Sequence, residues 1–373
     1  MTLEVFDSIA RIDRAEWDAL FPGEIETWDY YRAVELAGLP GFAWRYFALR
    51  EDGALLAAAP AFLTDYRLDT TITGALKRWT ERLARLAPRL MSIRMLCLGS
   101  PVAEICHVGV APDLVPQRRQ ALLAQLLAGL RRRAIEEKAG LIAVKDAPDG
   151  SPIDQACRAA GHTRLPGMPT AVLPIDFPDV DGYLKRLSRV TRKDIKRKMR
   201  NGAALRVEAR DRIDDVLGPV MALYEATWQR SELRLEHLTP DYFTAVLRAM
   251  PGRAICFLYW EGDRLAAFNL VLLDGNRMID KFFGTDAAAR RLNLYHVSWM
   301  ENIRQCLARG LTVFQAGQAF YGEKVRMGSR LDVNWQFFTH RSRALTFVLR
   351  QVSRLARLDR LDPEIRSLMA RAK

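Results

Sequence analysis

A chain of 373 residues with 49% hydrophobic and 27% charged residues is too long for one ordinary core, so two domains of roughly 150–200 residues each are expected; a single small binding module, a disordered chain and a polytopic membrane protein are excluded. The 56 Lys and Arg against 44 Asp and Glu give a formal charge of +12 and call for an anionic partner, whether nucleotide cofactor, nucleic acid or membrane surface. Five scattered cysteines without a Cys-x-x-Cys pair argue against a disulfide framework and a zinc module, and Met1 to Asp7 lacks the basic and apolar runs of a signal peptide, so a cytoplasmic location is expected.

In the first half, apolar runs at 44–49 and 54–63 flank Glu51-Asp52-Gly53 and predict an antiparallel hairpin. Residues 71–94 set Leu76, Trp79, Leu83, Leu86 and Leu90 among Lys77, Arg78, Arg82, Arg85 and Arg89, which predicts a basic amphipathic helix broken near Pro88. Helical spacing from Leu122 to Ile135 predicts a helix over 118–138, followed by Gly140 and a strand at 141–144. Ser151-Pro152 then opens a short helix that ends at Gly161.

The second half repeats this order. Residues 213–230 and 240–250 read as helices, 254–260 and 265–273 as a hairpin around Glu261-Gly262-Asp263, and 277–283 as a third strand. A helix over 294–309 closes on Gly310 and feeds a strand at 311–315. Two related α/β units are therefore expected, at 1–175, with 71–94 as an insertion, and at 176–345, the boundary near 174–181; 346–373 reads as a C-terminal basic amphipathic helix. Both basic helices suit either docking on the protein itself or peripheral contact with the inner face of an anionic membrane.

Common catalytic signatures are missing. The five histidines show no His-x-x-x-His, and there is no Gly-x-Ser-x-Gly, Gly-x-Gly-x-x-Gly or Gly-x-x-x-x-Gly-Lys, so no metal, nicotinamide or nucleoside triphosphate site is expected. Cys106-His107 reads as a buried cysteine beside an ordinary histidine, because strand neighbours point to opposite faces. The densest charge run, 183–200, holds nine cations and one acid with Leu184, Leu187, Val190, Ile195 and Met199 at helical spacing. It predicts one basic helix between the domains, either gripping phosphate through residues such as Lys193 and Arg197 or presenting a solvated face.

Tyr183-Leu-x-x-Leu-x-x-x-x-Arg192-Lys193, Trp228, Ala266-Ala267-Phe268-Asn269-Leu270, Tyr295, Phe314-Gln315-Ala316-Gly317-Gln318 and Tyr321-Gly322-Glu323-Lys324-x-x-x-Gly328 together resemble the FemABX or BioF2-like branch of the GNAT N-acyltransferases. The likeness covers residues 175–345, and the first half matches only in element order. It implies an α/β fold of two tandem GNAT-like domains with mixed central sheets, an acyl donor held as a coenzyme A thioester or as aminoacyl-tRNA, and a small-molecule or lipid-linked amine acceptor. It also implies that the strands at 277–283 and 311–315 splay to admit the thioester arm by strand addition, with donor phosphates near Gly284, Arg290, Arg291 and Asn293. The usual Gln/Arg-x-x-Gly-x-Gly/Ala loop is not present there.

Acyl transfer to an amine needs a base, an oxyanion partner and an acid for the leaving group. Asp280, a carboxylate inside an apolar strand, is the expected base, and the resemblance places the acid at Tyr321. Gln315, Gln318, Lys324 and His296 are candidate substrate contacts. The leading expectation is an acyl-coenzyme A-dependent N-acyltransferase. The alternatives are an aminoacyl-tRNA-dependent Fem-type transferase, which 183–200 would serve but which usually carries a long helical hairpin not visible between 213 and 310, and a non-catalytic accessory protein at a membrane surface or in cell-envelope or polysaccharide assembly.

Overall fold

A computed structural model of the chain describes residues 1–67, 92–231, 235–342, 344–347 and 349–351. The first unit runs β1 (Thr2–Phe6), α1 (Arg14–Ala19), α2 (Trp28–Leu36), β2 (Ala43–Glu51), β3 (Ala54–Arg67), β4 (Ser92–Leu98), β5 (Gly109–Val110), α3 (Pro116–Glu136), β6 (Leu141–Pro148), α4 (Pro152–Ala159) and β7 (Thr163–Pro166). Local chemistry accounts for these elements. The β2–β3 turn holds Asp52 and Gly53 at positive φ, α3 starts on a proline and buries Leu122, Leu123, Leu126, Leu127 and Leu130, and the Ser151 side chain accepts the Asp154 N–H to cap α4.

The second unit runs β8 (Thr170–Pro174), α5 (Val180–Arg186), α6 (Arg189–Asn201), β9 (Arg206–Arg210), α7 (Leu217–Arg230), α8 (Pro240–Ala249), β10 (Ala254–Glu261), β11 (Arg264–Leu273), β12 (Arg277–Thr285), α9 (Leu294–Ala308), β13 (Val313–Gly317), α10 (Tyr321–Arg326) and β14 (Arg330–Asp332), before β15 (Asn334–His340). Two mixed sheets result. The first has the order β1-β2-β3-β4-β6-β15-β7 with β5 beside β3, and the second β14-β8-β13-β12-β11-β10-β9. Among the described residues, each sheet has one parallel pair, β4 with β6 and β12 with β13.

Three features depart from the sequence reading. The chain crosses to the second sheet between Pro166 and Thr170 and returns between Asp332 and Asn334, so β8, on the first unit's side of the expected boundary at 174–181, pairs in the second sheet, and β15, before the expected end of the second unit at 345, pairs in the first. Alternation marks a strand but not its partner. The run 183–200 is two helices, because Ser188 accepts the Thr191 N–H and starts α6 afresh; the apolar spacing survives the break because Leu184, Leu187 and Ile195 enter the same core. Finally, Ser92 to Arg94 pair with Arg67 to Asp65 as strand, where a helix was expected, and the rest of that basic segment, 71–91, lies outside the described residues. Of the expected C-terminal helix, 344–347 and 349–351 are helical and 352–373 lie outside them. Among the described residues no helix is long and apolar enough to cross a membrane.

The hydrophobic effect organises three cores. α3 and α4 cover one face of the first sheet through Leu122, Leu126, Leu130 and Ile153, and α5, α6 and α9 cover one face of the second through Leu184, Ile195, Val297 and Ile303. The inner faces of both sheets share the third, where α1 and α2 meet α7 and α8 around Trp17, Tyr30, Tyr242, Phe243 and Phe268. Polar contacts cross this shared core: the Tyr30 and Tyr242 hydroxyls are 3.0 Å apart, Arg253 meets Asp29 at 2.6 Å, and the Lys281 ammonium meets Glu26 at 2.6 Å and the Val102 carbonyl at 2.5 Å. The side chains of Lys281 and Glu26 are 2% and 1% exposed, so neither charge has water to fall back on. Lys281→Met should therefore cost about 3–5 kcal/mol of stability, read by chemical denaturation, and adding Glu26→Gln should restore much of it. Equal losses in the single and double variants would show that the pair is not what couples the units.

Candidate active site

The parallel pair β12 and β13 is joined over only three positions, Arg277 with Val313, Met278 with Phe314 and Ile279 with Gln315. Beyond them the strands part. β12 carries on beside β11 with Lys281 as an extra residue between Phe282 and Asp280, and β13 carries on beside β8 with Ala316 skipped between Gln315 and Gly317. An extra residue on each strand turns it away from its neighbour, so the gap opens at Asp280.

Titratable groups from both units converge there. Gly317 shows why: its φ is +88, and a Cβ at this position would lie 3.0 Å from Glu104 Oε1 and 3.4 Å from Lys324 Nζ. A side chain at 317 would fill the space between the carboxylate and the ammonium. Gln315 Nε2 donates to Glu104 Oε2 at 2.7 Å, while Gln318 Nε2 donates to the carbonyls of Glu104 and Met168, each at 3.0 Å. On the α9 side, Asn302 Nδ2 donates to Asp280 Oδ2 at 3.4 Å and Asn269 Nδ2 to Asn302 Oδ1 at 3.3 Å.

The three charges perturb one another. Burial pushes Asp280 up to about 7, the Lys324 charge opposing this and that of Glu104 adding to it. Burial pulls Lys324 down to about 8 against the pull of Glu104 and Asp280. Glu104 is raised by burial, with Lys281, the Gln315 hydrogen bond and Lys324 working in the other direction. Proton exchange near neutral pH is what such a set can do. Beside it, the Tyr295 hydroxyl is buried without a hydrogen-bond partner among the described residues, its ring between Phe283 at 6.1 Å and Phe320 at 5.6 Å, and its pKa is raised by burial and then by the Asp280 charge. A buried unpartnered donor of this kind is a vacancy for an acceptor oxygen.

Other expected residues fall elsewhere. The Tyr321 hydroxyl donates to the Pro169 carbonyl at 2.8 Å, and burial raises its pKa, so its proton is committed to the backbone. Gly284 is not a loop residue: β12 runs to Thr285, and a Cβ at 284 would lie 2.1 Å from the Phe268 ring, so this glycine serves packing. Arg291 is bound to Glu261, Asn293 caps α9 with φ +52 and no side-chain cap bond, and the Arg290 side chain lies outside the described residues. His296, buried and lowered in pKa by that burial, sits 2.9 Å from Lys198 and 3.3 Å from Glu323. Arg197 is taken up by Asp194 at 2.7 Å, whereas Lys193 is exposed. Cys106 and His107 are buried, the imidazole held between Tyr31 and Glu24. Among the described residues no cluster of His, Cys, Asp or Glu suits a metal ion.

Sequence reasoning gave no role to Glu104, Asn302 or Tyr295. Glu104 is the one acid between Gly99 and Val108, the only local signal it offers. Its contacts lie more than two hundred residues away.

Two mixed sheets in one chain, each with a single parallel pair among the described residues, the second parting beside a buried carboxylate, make a tandem GNAT-like α/β fold. Residues 189–324 match the acetyltransferase (GNAT) domain family, so the second unit carries a GNAT domain. Solved structures similar to the chain include FemX (14% identity, 94% of this chain and 100% of that one, TM-score 0.60), the C-terminal domain of a putative lysylphosphatidylglycerol synthetase from Agrobacterium fabrum (13%, 92% and 95%, 0.56) and a tandem GNAT protein from the clavulanic acid biosynthesis pathway (14%, 91% and 99%, 0.55). No curated protein matches the sequence.

The electrostatics of the gap make a signed prediction. The Glu104 charge raises the pKa of both Asp280 and Lys324, so Glu104→Gln should lower both, and NMR titration of the two side chains should record downward shifts together. A shift in only one of them would mean that Glu104 does not face both groups.

Proposed function

We propose that the chain transfers an acyl group from a coenzyme A thioester to an amine, and that the reaction takes place in the gap between β12 and β13. The observation that carries this reading is the parting of that pair after Ile279 and Gln315, beside Asp280, Lys324 and Glu104. The thioester arm pairs with the freed backbone as an added strand. Its phosphates lie toward the start of α9, whose first turn has no acid and no side-chain cap to compete for its N–H groups.

The amine lone pair attacks the thioester carbonyl, forming the C–N bond, and Asp280 takes the ammonium proton. Negative charge on the carbonyl oxygen meets the unpartnered Tyr295 hydroxyl. As the C–S bond breaks, the departing thiolate takes a proton from the Lys324 ammonium, a better-placed acid than Tyr321, whose hydroxyl is bound to Pro169. Gln315 and Gln318 hold Glu104 in place and keep that charge beside Lys324. The amine comes from the side of the first unit, where Glu104 stands.

Thiol release from acetyl- and long-chain acyl-coenzyme A in the presence of an amine panel tests this. Activity should rise as Asp280 deprotonates through about 7 and fall as Lys324 loses its proton above about 8. Asp280→Asn should lower turnover by about a hundredfold or more and abolish the rising limb, and Lys324→Met should abolish the falling one. Near-normal turnover in Asp280→Asn would overturn the role of the carboxylate.

One observation favours a second donor, aminoacyl-tRNA: α6 turns Lys193, Lys196 and Arg200 to solvent with no partner among the described residues. If tRNA is the donor, replacing the three with Ser should weaken its binding and flatten the dependence of log K on log salt by up to about three units. An unchanged slope leaves α6 as a solvated face and the thioester reading standing.

A further inference from the structure

Away from the gap, α5, α6 and α9 leave between them a recess of about 310 Å³, a volume in the range of small-ligand sites. Its floor is aliphatic. Leu184 comes from α5, Ile195 and Met199 from α6 and Met300 from α9. The rim is cationic, with Lys196 and Arg200 one turn apart on α6 and Arg304 facing them from α9. Of the three, only Arg304 has a carboxylate partner among the described residues, Glu301 at 3.1 Å; Lys196 and Arg200 point to solvent unpaired.

An apolar floor under three cations matches one kind of ligand. A sugar or nucleotide needs polar groups along its length, and those lining this recess stand at its rim. A neutral hydrocarbon would leave the cations unused, and a compact anion the floor. A chain that is aliphatic along its body and anionic at one end satisfies both, burying methylene surface against Leu184, Ile195 and Met300 while its head replaces water on Lys196, Arg200 and Arg304.

We propose that this recess binds a single alkyl chain bearing a carboxylate or phosphate head, at a site separate from the acyl-transfer gap. The break at Ser188 is what makes room for it: α5 ends at Arg186 and α6 begins afresh, so the two helices do not continue as one rod across α9. The surrounding charge adds to the attraction, since the stretch 183–200 holds nine cations and one acid.

The probe is monomeric dodecyl phosphate, titrated calorimetrically into the intact chain below its micelle concentration, with dodecanol, inorganic phosphate and anionic phospholipid vesicles as separate arms. One saturable site is expected, at least about tenfold tighter for dodecyl phosphate than for dodecanol or phosphate. Lys196→Ser with Arg304→Ser should reduce its affinity about tenfold or more while leaving dodecanol unaffected. Ala203→Trp, which sets a ring into the recess from an exposed rim position, should abolish binding without changing the thermal midpoint. The proposal is overturned if dodecyl phosphate does not bind as a monomer, if vesicles alone bind, or if Ala203→Trp binds as the parent does. Acyl transfer enters none of these readouts, so failure here and failure of the transferase reading are told apart.

Discussion

The architecture of the candidate site depends on the failure of two parallel strands to stay together. β12 and β13 share only three paired positions, and the energetic cost of parting them falls at the place where the proposed thioester arm would add as a strand. A gap in the middle of a sheet does a second thing. It joins two faces that a closed sheet would insulate, so Asp280, on the side of Asn302 and α9, feels Glu104 and Lys324 on the other. Burial raises the Asp280 carboxyl and lowers the Lys324 ammonium, and the charges that the gap brings together modulate both shifts.

The first unit has the same parallel pair and a different outcome. β4 and β6 are joined from Met95 with Leu141 to Leu98 with Val144, and past Leu98 the chain itself fills the space between them: the Cys106 N–H donates to the Asp146 carbonyl at 2.9 Å, and Lys145 Nζ donates to the Ala103 carbonyl at 2.7 Å. Residues 99–107 thus satisfy the backbone and side-chain groups that remain open in the second unit. The same segment carries Glu104 across the shared core into the second gap. One unit has its opening filled, and the filling segment furnishes a carboxylate for the other.

Much of this was legible in the sequence, and the limits have physical causes. The hairpins β2–β3 and β10–β11, the helices α3 and α9, and the strand that carries Asp280 are set by alternation, helical spacing and the glycines that end them, all local properties. Asp280 stood out as one carboxylate in an apolar run. Glu104 did not, because its importance lies in Gln315 and Gly317, far along the chain. The helix break at Ser188 was hidden because apolar spacing reports which side faces the core, and α5 and α6 face the same core. Gly284 was misread for a related reason: a glycine after an aromatic strand looks like the start of a loop, while the requirement it meets is set by Phe268 on the neighbouring strand. The exchange of β8 and β15 between sheets is likewise a matter of pairing, on which strand composition is silent.

The exchange has a mechanical consequence for the gap. β8 flanks β13 on the side away from β12, and it is reached from the first sheet after only a few residues; β14, its other neighbour, leads as directly back to β15 between β6 and β7. The strands on β13's outer side are thereby joined to the first unit, β8 at its start and β14 at its end. β12, on the other side, is held to that unit by Lys281 on Glu26 and Arg277 on Glu24, the latter carboxyl kept down at about 2 by His107 and Arg277 despite its burial. Two anchors of different kinds, one covalent and one electrostatic, therefore fix both walls of the gap to the same body. A hinge between the units would have to break buried charge pairs or strip a strand from a sheet, so the separation of Asp280 and Glu104 is built into the fold and does not depend on closure around a substrate.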